Sequence, residues 1–417
     1  MQALTVSEYG ALPVGADGLP QHEFDHLCRL RDELGVAFFT EERHRGRWQL
    51  RFANMVGVVP LSSGGVLEIL PKITADEADL DARVHLLHLL SETGQLPVAQ
   101  GALRDLAETG VLTEAYFAHI VTAAASLARS GIPKAHIRTE AVTAFVKGRL
   151  DVAAHMSRQM GRPDRHEVRY SDLLVDTPHN RVLKAALNLI VRLSRRAETV
   201  RQARGLWAKL SEVRDTRPNY AAAKCLTFTR LTAAWEPLFA LIAQLLRATP
   251  PDTRAGSGTR GPTWLFDMNA LFETFIGHRL RLASHHPVQL NAWTRPLLTE
   301  ESGQGRFELR PDMIVGPRKT PLLILDAKWK RISQPVHQDM AISDVRQIFA
   351  YGRVFNAASV GLTYPVRGTV PLVHRFRADA GGTPMGVIVL GLPVVPGGLR
   401  ALDHTLRQAV AEAVAAL

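Results

Sequence analysis

Four short apolar runs open the chain: Val36-Ala37-Phe38-Phe39, Trp48-Gln49-Leu50-Arg51-Phe52, Val56-Gly57-Val58-Val59 and Val66-Leu67-Glu68-Ile69-Leu70. Gly46, Ser62-Ser63-Gly64-Gly65 and Pro71 punctuate them. Runs of that length between turn formers predict strands, so residues 1–75 read as a small β-rich domain. From 76 to 250 the spacing changes. Leu80, Val84, Leu87 and Leu90, then Val182, Leu183, Ala186, Leu187, Ile190 and Leu193, recur at helical intervals, and a helical middle region is expected. Residues 251–262 lose periodicity and crowd Pro, Gly and Ser, which predicts a linker. Gly256-x-Gly258-x-x-Gly261 there matches the dinucleotide fingerprint as a string. A phosphate cradle needs a strand before it and a helix start after it, and a Pro-Pro turn precedes it instead. Residues 263–417 read as helix, three strands, helix, more strands, helix. The first helix starts from an Asp267 N-cap, the strands fall near 288–298, 306–315 and 321–330, and the next helix covers 343–352. The fold class is thus multidomain, α+β and α/β.

Composition narrows the class. With 46% hydrophobic and 22% charged residues in 417, the chain is neither disordered nor collagen-like. Two cysteines, Cys28 and Cys225, exclude a disulfide framework and a Cys-rich zinc module. Glu8, Asp17, Glu23 and Asp25 stand where a signal peptide would be basic and then apolar. The most apolar late stretch, 385–396, is broken by Gly391 and Pro393 and is too short for the roughly twenty residues of a span. A cytoplasmic chain without membrane contact is expected. The net charge of +10 suggests a polyanion partner. It divides unevenly: seven basic against nine acidic residues in 1–75, 26 against 19 in 76–262, and 17 against 12 in 263–417. Arg181, Lys184, Arg192, Arg195, Arg196, Arg201 and Arg204 load one helical region, where a solvated helix face competes with a phosphate-facing stripe.

The candidate chemistry sits in the last zone. Asp312 precedes Asp326-Ala327-Lys328 by fourteen residues, and this is the one acid-x-Lys among the nine lysines. Two adjacent antiparallel strands can set the carboxylates side by side, and Asp326 and Lys328, two apart, share a face. Close carboxylates raise a pKa unless a cation sits between them. Mg²⁺ takes oxygen ligands and keeps places for water and phosphate. With Lys328 beside the attacking water, the set suits metal-assisted phosphodiester hydrolysis. The competing reading is a solvated strand end. Glu273 could supply a third carboxylate and Gln347 could hold water or phosphate; an exposed helix Glu and a surface Gln are the alternatives.

These residues resemble the PD-(D/E)xK nuclease superfamily: Pro311-Asp312, Asp326-Ala327-Lys328, Glu273 before and Gln347-x-x-x-Tyr351 after. More narrowly the chain resembles the McrC family, the nuclease subunits of McrBC modification-dependent (5-methylcytosine, type IV) restriction systems. Val56-Gly57-Val58-Val59, Leu67-Glu68-Ile69-Leu70-Pro71-Lys72-Ile73, Lys147-Gly148-Arg149-Leu150 and Asp176-Thr177-Pro178-x-Asn180-Arg181-Val182-Leu183-Lys184 carry that match. The resemblance implies a restriction-endonuclease-like α/β domain at 263–417 that cuts double-stranded, methylated DNA with Mg²⁺. It implies metal ligands at Asp312 and Asp326, a catalytic Lys328, and accessory roles for Glu273 and Gln347. It also implies that residues 1–75 dock on a hexameric AAA+ GTPase of McrB type and stimulate it. Arg43, Arg45, Arg47 and Arg51 lie in that region, and a solvated hairpin face is their simpler reading. The chain has no Gly-x-x-x-x-Gly-Lys-Ser/Thr match, so GTP would belong to the partner. A non-catalytic adaptor of a AAA+ NTPase and a stand-alone repair nuclease remain as alternatives.

Overall fold

In the computed structural model of the chain, residues 3–15, 18–72, 79–96, 108, 112–159, 161–162, 164–217, 219–249, 261–332, 340–379 and 383–415 are described. The first part runs β1 (Ala3–Ser7), β2 (Ala11–Pro13), α1 (Gln21–Leu34), β3 (Phe39–His44), β4 (Arg47–Phe52), β5 (Met55–Pro60), β6 (Val66–Leu70) and α2 (Asp79–Glu92). Three of the four apolar runs are strands, as their spacing predicts. Only Phe39 of the run at 36–39 enters one, and Phe38 packs edge-on against it at 4.8 Å. The apolar runs do not predict α1. Its signal is present all the same: Phe24, Leu27 and Leu30 line one face, and Gly35 stops the helix in the left-handed region at φ 63°. That face closes a core with Leu50, Phe52, Val59, Leu67 and Ile69. The four arginines lie on the β3–β4 hairpin. Arg45 stands at its turn, Arg51 pairs with Glu42, and Arg43 lies over Trp48.

The middle region contains α3 (Leu112–Arg129), β7 (Ala135–Thr143), β8 (Arg149–Leu150), α4 (Val152–Arg158), β9 (His166–Leu174), α5 (Pro178–Leu193), α6 (Ala197–Ala208), α7 (Tyr220–Lys224) and α8 (Glu236–Ala248). It is therefore not purely helical. A three-stranded sheet, β7-β9-β8, interrupts the helices. Along β7 half-buried positions alternate with exposed ones, but Thr139, Ala141 and Thr143 on the half-buried face are small or polar, so the apolar signal in the sequence is weak.

After residue 263 come β10 (Trp264–Asp267), α9 (Met268–Ala283), β11 (Val288–Leu290), β12 (Arg295–Thr299), β13 (Gly305–Leu309), β14 (Met313–Val315), β15 (Leu323–Ala327), α10 (Ile342–Phe355), β16 (Ser359–Val366), β17 (Leu372–Ala378), β18 (Met385–Pro393) and α11 (Leu399–Ala415). Asp267 is the N-cap of α9, accepting hydrogen bonds from Asn269 and Ala270. Two expected strands are each divided. The one at 288–298 breaks at Asn291, which turns the chain with φ 49°. The one at 306–315 breaks at Arg310-Pro311-Asp312, where Pro311 has no N–H to donate. β12 and β13 pair as a ribbon of their own. The main sheet has the order β11-β14-β15-β16-β18-β17, with β15, β16 and β18 parallel. α10 is the crossover from β15 to β16. Its Ile348, Tyr351 and Phe355 cover Ile314, Ile324, Val360, Leu362 and Val389.

The chain forms two compact units, Met1–Leu112 with Thr263–Leu417, and Thr113–Pro262. β10 joins the ends of the first: it pairs antiparallel with β5 and completes the sheet β1-β6-β5-β10. Of the expected linker, residues 251–260 lie outside the described residues. Among the described residues no helix is long and apolar enough to cross a membrane.

Candidate active site

β14 and β15 run antiparallel in a register that pairs Val315 with Leu323 and Met313 with Leu325. Asp312 stands just before β14 and Asp326 just beyond the last residue of β15 that pairs with β14, and the Asp326 carboxylate acts on Asp312. Side chains alternate along a strand, so Asp326 lies on the face of Ile324, which pairs with Ile314. Both of those isoleucines pack under α10. Asp326 is buried, at 1% exposure. Asp312 accepts a hydrogen bond from the Ala327 N–H at 2.8 Å.

The pair is electrostatically loaded. Burial raises the Asp312 carboxyl to about 7, and the Asp326 and Glu273 carboxylates add to the rise; the Ala327 N–H and Lys328 oppose it. Burial also raises Asp326, against the pull of Lys328. Lys328 Nζ stands 2.6 Å from Asp326 Oδ2 and donates to Gln347 Oε1 at 3.0 Å. The first contact is an ion pair that compensates part of the buried Asp326 charge. Gln347 Nε2 donates to Tyr351 Oη at 2.7 Å, and Tyr351 Oη donates to the Arg310 carbonyl at 3.2 Å. The amide of Gln347 is thereby held with its oxygen toward the lysine.

Glu273 approaches from α9. Asn291 Nδ2 donates to its carboxylate, and the Asn291 N–H donates to the Asp312 carbonyl at 2.9 Å. The structure thus brings all five sequence candidates, Asp312, Asp326, Lys328, Glu273 and Gln347, into one neighbourhood. It adds three groups that sequence reasoning missed. Asn291 links Glu273 to Asp312, partners that it meets only in the fold. Lys330 and Asp344 form a flanking ion pair at 2.8 Å.

Among the described residues no group of three or more His, Cys, Asp or Glu is arranged to hold a metal. Two buried carboxylates remain, Asp312 and Asp326, both with a raised pKa. That donor set fits Mg²⁺, which is commonly held by one or two carboxylates with water and phosphate completing its octahedron. It does not fit a structural zinc site.

The segment Asp176 to Lys184 has a different task. Asp176 grips Arg181 through two hydrogen bonds of 2.7 and 2.8 Å, which draws its carboxyl down to about 2. Thr177 caps α5, buried Asn180 donates to the carbonyls of Pro133 and Val175, and Lys184 donates to the Val213 carbonyl. These residues build the start of a helix. The basic stripe is correspondingly reduced, since Arg181 and Lys184 are engaged within the second unit.

The family model for McrBC 5-methylcytosine restriction system components matches residues 50–365. The chain belongs to that family. This McrBC component is also similar to a chain of the refined half-complex from the tetradecameric assembly of Thermococcus gammatolerans McrB AAA+ hexamers with bound McrC. The TM-score is 0.77 at 14% identity, over 99% of this chain and 100% of that one. A chain of the Thermococcus gammatolerans McrBC complex matches with TM-score 0.56 and 16% identity, over 68% and 88%. At such identities the likeness shows a shared fold. No curated protein matches the chain.

Proposed function

We propose that this McrBC component is the Mg²⁺-dependent DNA endonuclease subunit of its restriction system, acting with a hexameric AAA+ GTPase of McrB type. The observation that carries the reading is the pair of buried, mutually repelling carboxylates Asp312 and Asp326, with Lys328 Nζ 2.6 Å from Asp326. Asp312 and Asp326 would hold the ion. When bound, Mg²⁺ would polarise the phosphate and lower the pKa of a ligated water. The chain's own groups do the rest. Lys328, held between Asp326 and Gln347, places a positive charge where negative charge grows on the phosphate. Gln347, fixed by Tyr351, orients that ammonium. Glu273 adds negative charge behind Asp312 and strengthens the pair's demand for a cation. The partner reading rests on family membership and on the McrB hexamers with which the similar assembly is built. The basic excess of residues 76–417 suits a DNA polyanion.

The test is cleavage of methylated double-stranded DNA by the chain with its GTPase partner, GTP and Mg²⁺. Asp326→Ala and Lys328→Ala should each lower cutting by at least about a hundredfold while GTPase stimulation persists. Wild-type cutting by both variants would remove the site assignment. A wild-type chain that stimulates the GTPase and never cuts would favour the adaptor reading.

A further inference from the structure

Lys328 is followed by a tight turn in which the Lys330 N–H donates to the Lys328 carbonyl at 2.9 Å. The two lysines turn toward α10, Lys328 to Gln347 and Lys330 to Asp344. Trp329, between them, goes elsewhere and is buried at 3% exposure. Its ring packs against Phe272 of α9, with centroids 5.4 Å apart. Its indole Nε1–H donates to Glu8 Oε1 at 2.6 Å. Glu8 stands just past β1, more than three hundred residues away in sequence, and is 1% exposed. The same Oε1 accepts the Lys72 backbone N–H at 3.0 Å, while Oε2 makes no hydrogen bond. A second tie runs beside the first: the Arg331 guanidinium donates to the Lys72 carbonyl.

We propose that Glu8 is a positioning residue for Lys328, acting through Trp329. The proposal rests on the nuclease reading of Lys328 and adds that the N-terminal sheet sets the lysine's place. The reason is steric. A tryptophan clamped at both its ring face and its N–H fixes the backbone of the turn, and the turn fixes where both flanking ammonium groups begin. Freed from Glu8, Trp329 can shift, and Lys328 leaves its position between Asp326 and Gln347. Misplacement of about 1 Å at a reacting centre costs up to roughly a hundredfold in rate.

Two measurements on the full chain test this. In the complex with GTPase, GTP, Mg²⁺ and methylated DNA, Glu8→Ala should lower kcat about ten- to a hundredfold with KM unchanged. Glu8→Gln, which keeps the acceptor oxygen, should restore it. Trp329→Phe should lose as much as Glu8→Ala, and the double variant no more than the larger single loss. Separately, the free chain is acylated with an amine-reactive acetate ester and read by peptide mass. Lys328 should label several-fold faster in Glu8→Ala than in the wild type or Glu8→Gln, with Lys319 as the reference. Asp326→Ala runs in the same cutting assay. If it cuts, the nuclease reading fails, and the acylation result alone decides whether Glu8 places Lys328. If it is dead while Glu8→Ala cuts at the wild-type rate, or if Lys328 labelling is unchanged, the positioning role is overturned.

Discussion

His88 is the residue whose protonation costs the fold most visibly. It is wholly buried in α2, edge-on to Phe275 with centroids 5.9 Å apart, and neither ring nitrogen finds a hydrogen bond. Burial, then the nearby His85 and Arg279, push its pKa down to about 4. Arg279 is itself held by Glu92 and Asp403. A base with a lowered folded pKa contributes stability that is full above its unfolded value of 6.5 and is lost as pH falls toward 4. His88→Leu should therefore gain on the wild type as pH drops, by on the order of 3 kcal/mol at the acid end, and should be neutral or slightly stabilising at pH 7. Urea unfolding at pH 7 and at pH 4.5 checks this; a parallel loss in both proteins would refute it. The same scale explains what could be read of the site. Asp312, Asp326 and Lys328 were legible because charges ending an aliphatic strand are costly and therefore conspicuous. Glu8 and Asn291 were not, because each is defined by a partner remote in sequence.

Gly57 shows how an element can hang on one residue. Its φ is +135°, and a Cβ there would lie 1.9 Å from the Trp264 carbonyl oxygen. That oxygen belongs to β10, whose Leu265 pairs with Gly57. Gly57→Ala must therefore push β10 off β5 as well as strain the backbone, at a cost of roughly 2–5 kcal/mol. Gly46 has φ +80° and open space around it, so Gly46→Ala should cost only about 1 kcal/mol. Urea midpoints of the two variants give the comparison, and equal costs would argue against the close approach. Apolar content predicted long runs at 288–298 and 306–315, but the turn at Asn291 and the missing N–H of Pro311 end the ladders early. The second break is productive, since it leaves Asp312 at a strand end, where its carboxylate can face Asp326.

Across the whole molecule the first 72 residues and the last 155 behave as one body. β10 completes the N-terminal sheet, and Trp329 and Arg331 reach back to Glu8 and Lys72. A fragment of residues 263–417 alone would expose β10, the Trp329 indole and the α9 surface under α2. It should resist protease far less than the same residues in the full chain, and an equally resistant fragment would show that the contacts are dispensable. The acidic first zone thus has work to do inside its own chain as well as any part it plays in docking.

The sequence by itself determined the elements whose signals are local: β4, β5 and β6, the Asp267 cap, the body of α10 at 343–352, and the acid-x-Lys at the end of an aliphatic strand. Short-range spacing suffices there because strand period, capping and burial of aliphatics act within a few residues. Tertiary structure decided which distant segments meet. The three-stranded sheet at 135–174 alternates only between half-buried and exposed positions, with small and polar residues on the half-buried face of β7, and so carries a weak signal. The pairing of β10 with β5 across about two hundred residues, and the indole of Trp329 on Glu8, depend on contacts that no window along the chain contains. Even the strongest sequence signal, Asp312 with Asp326, needed the β14–β15 pairing to bring two carboxylates fourteen residues apart within reach of each other.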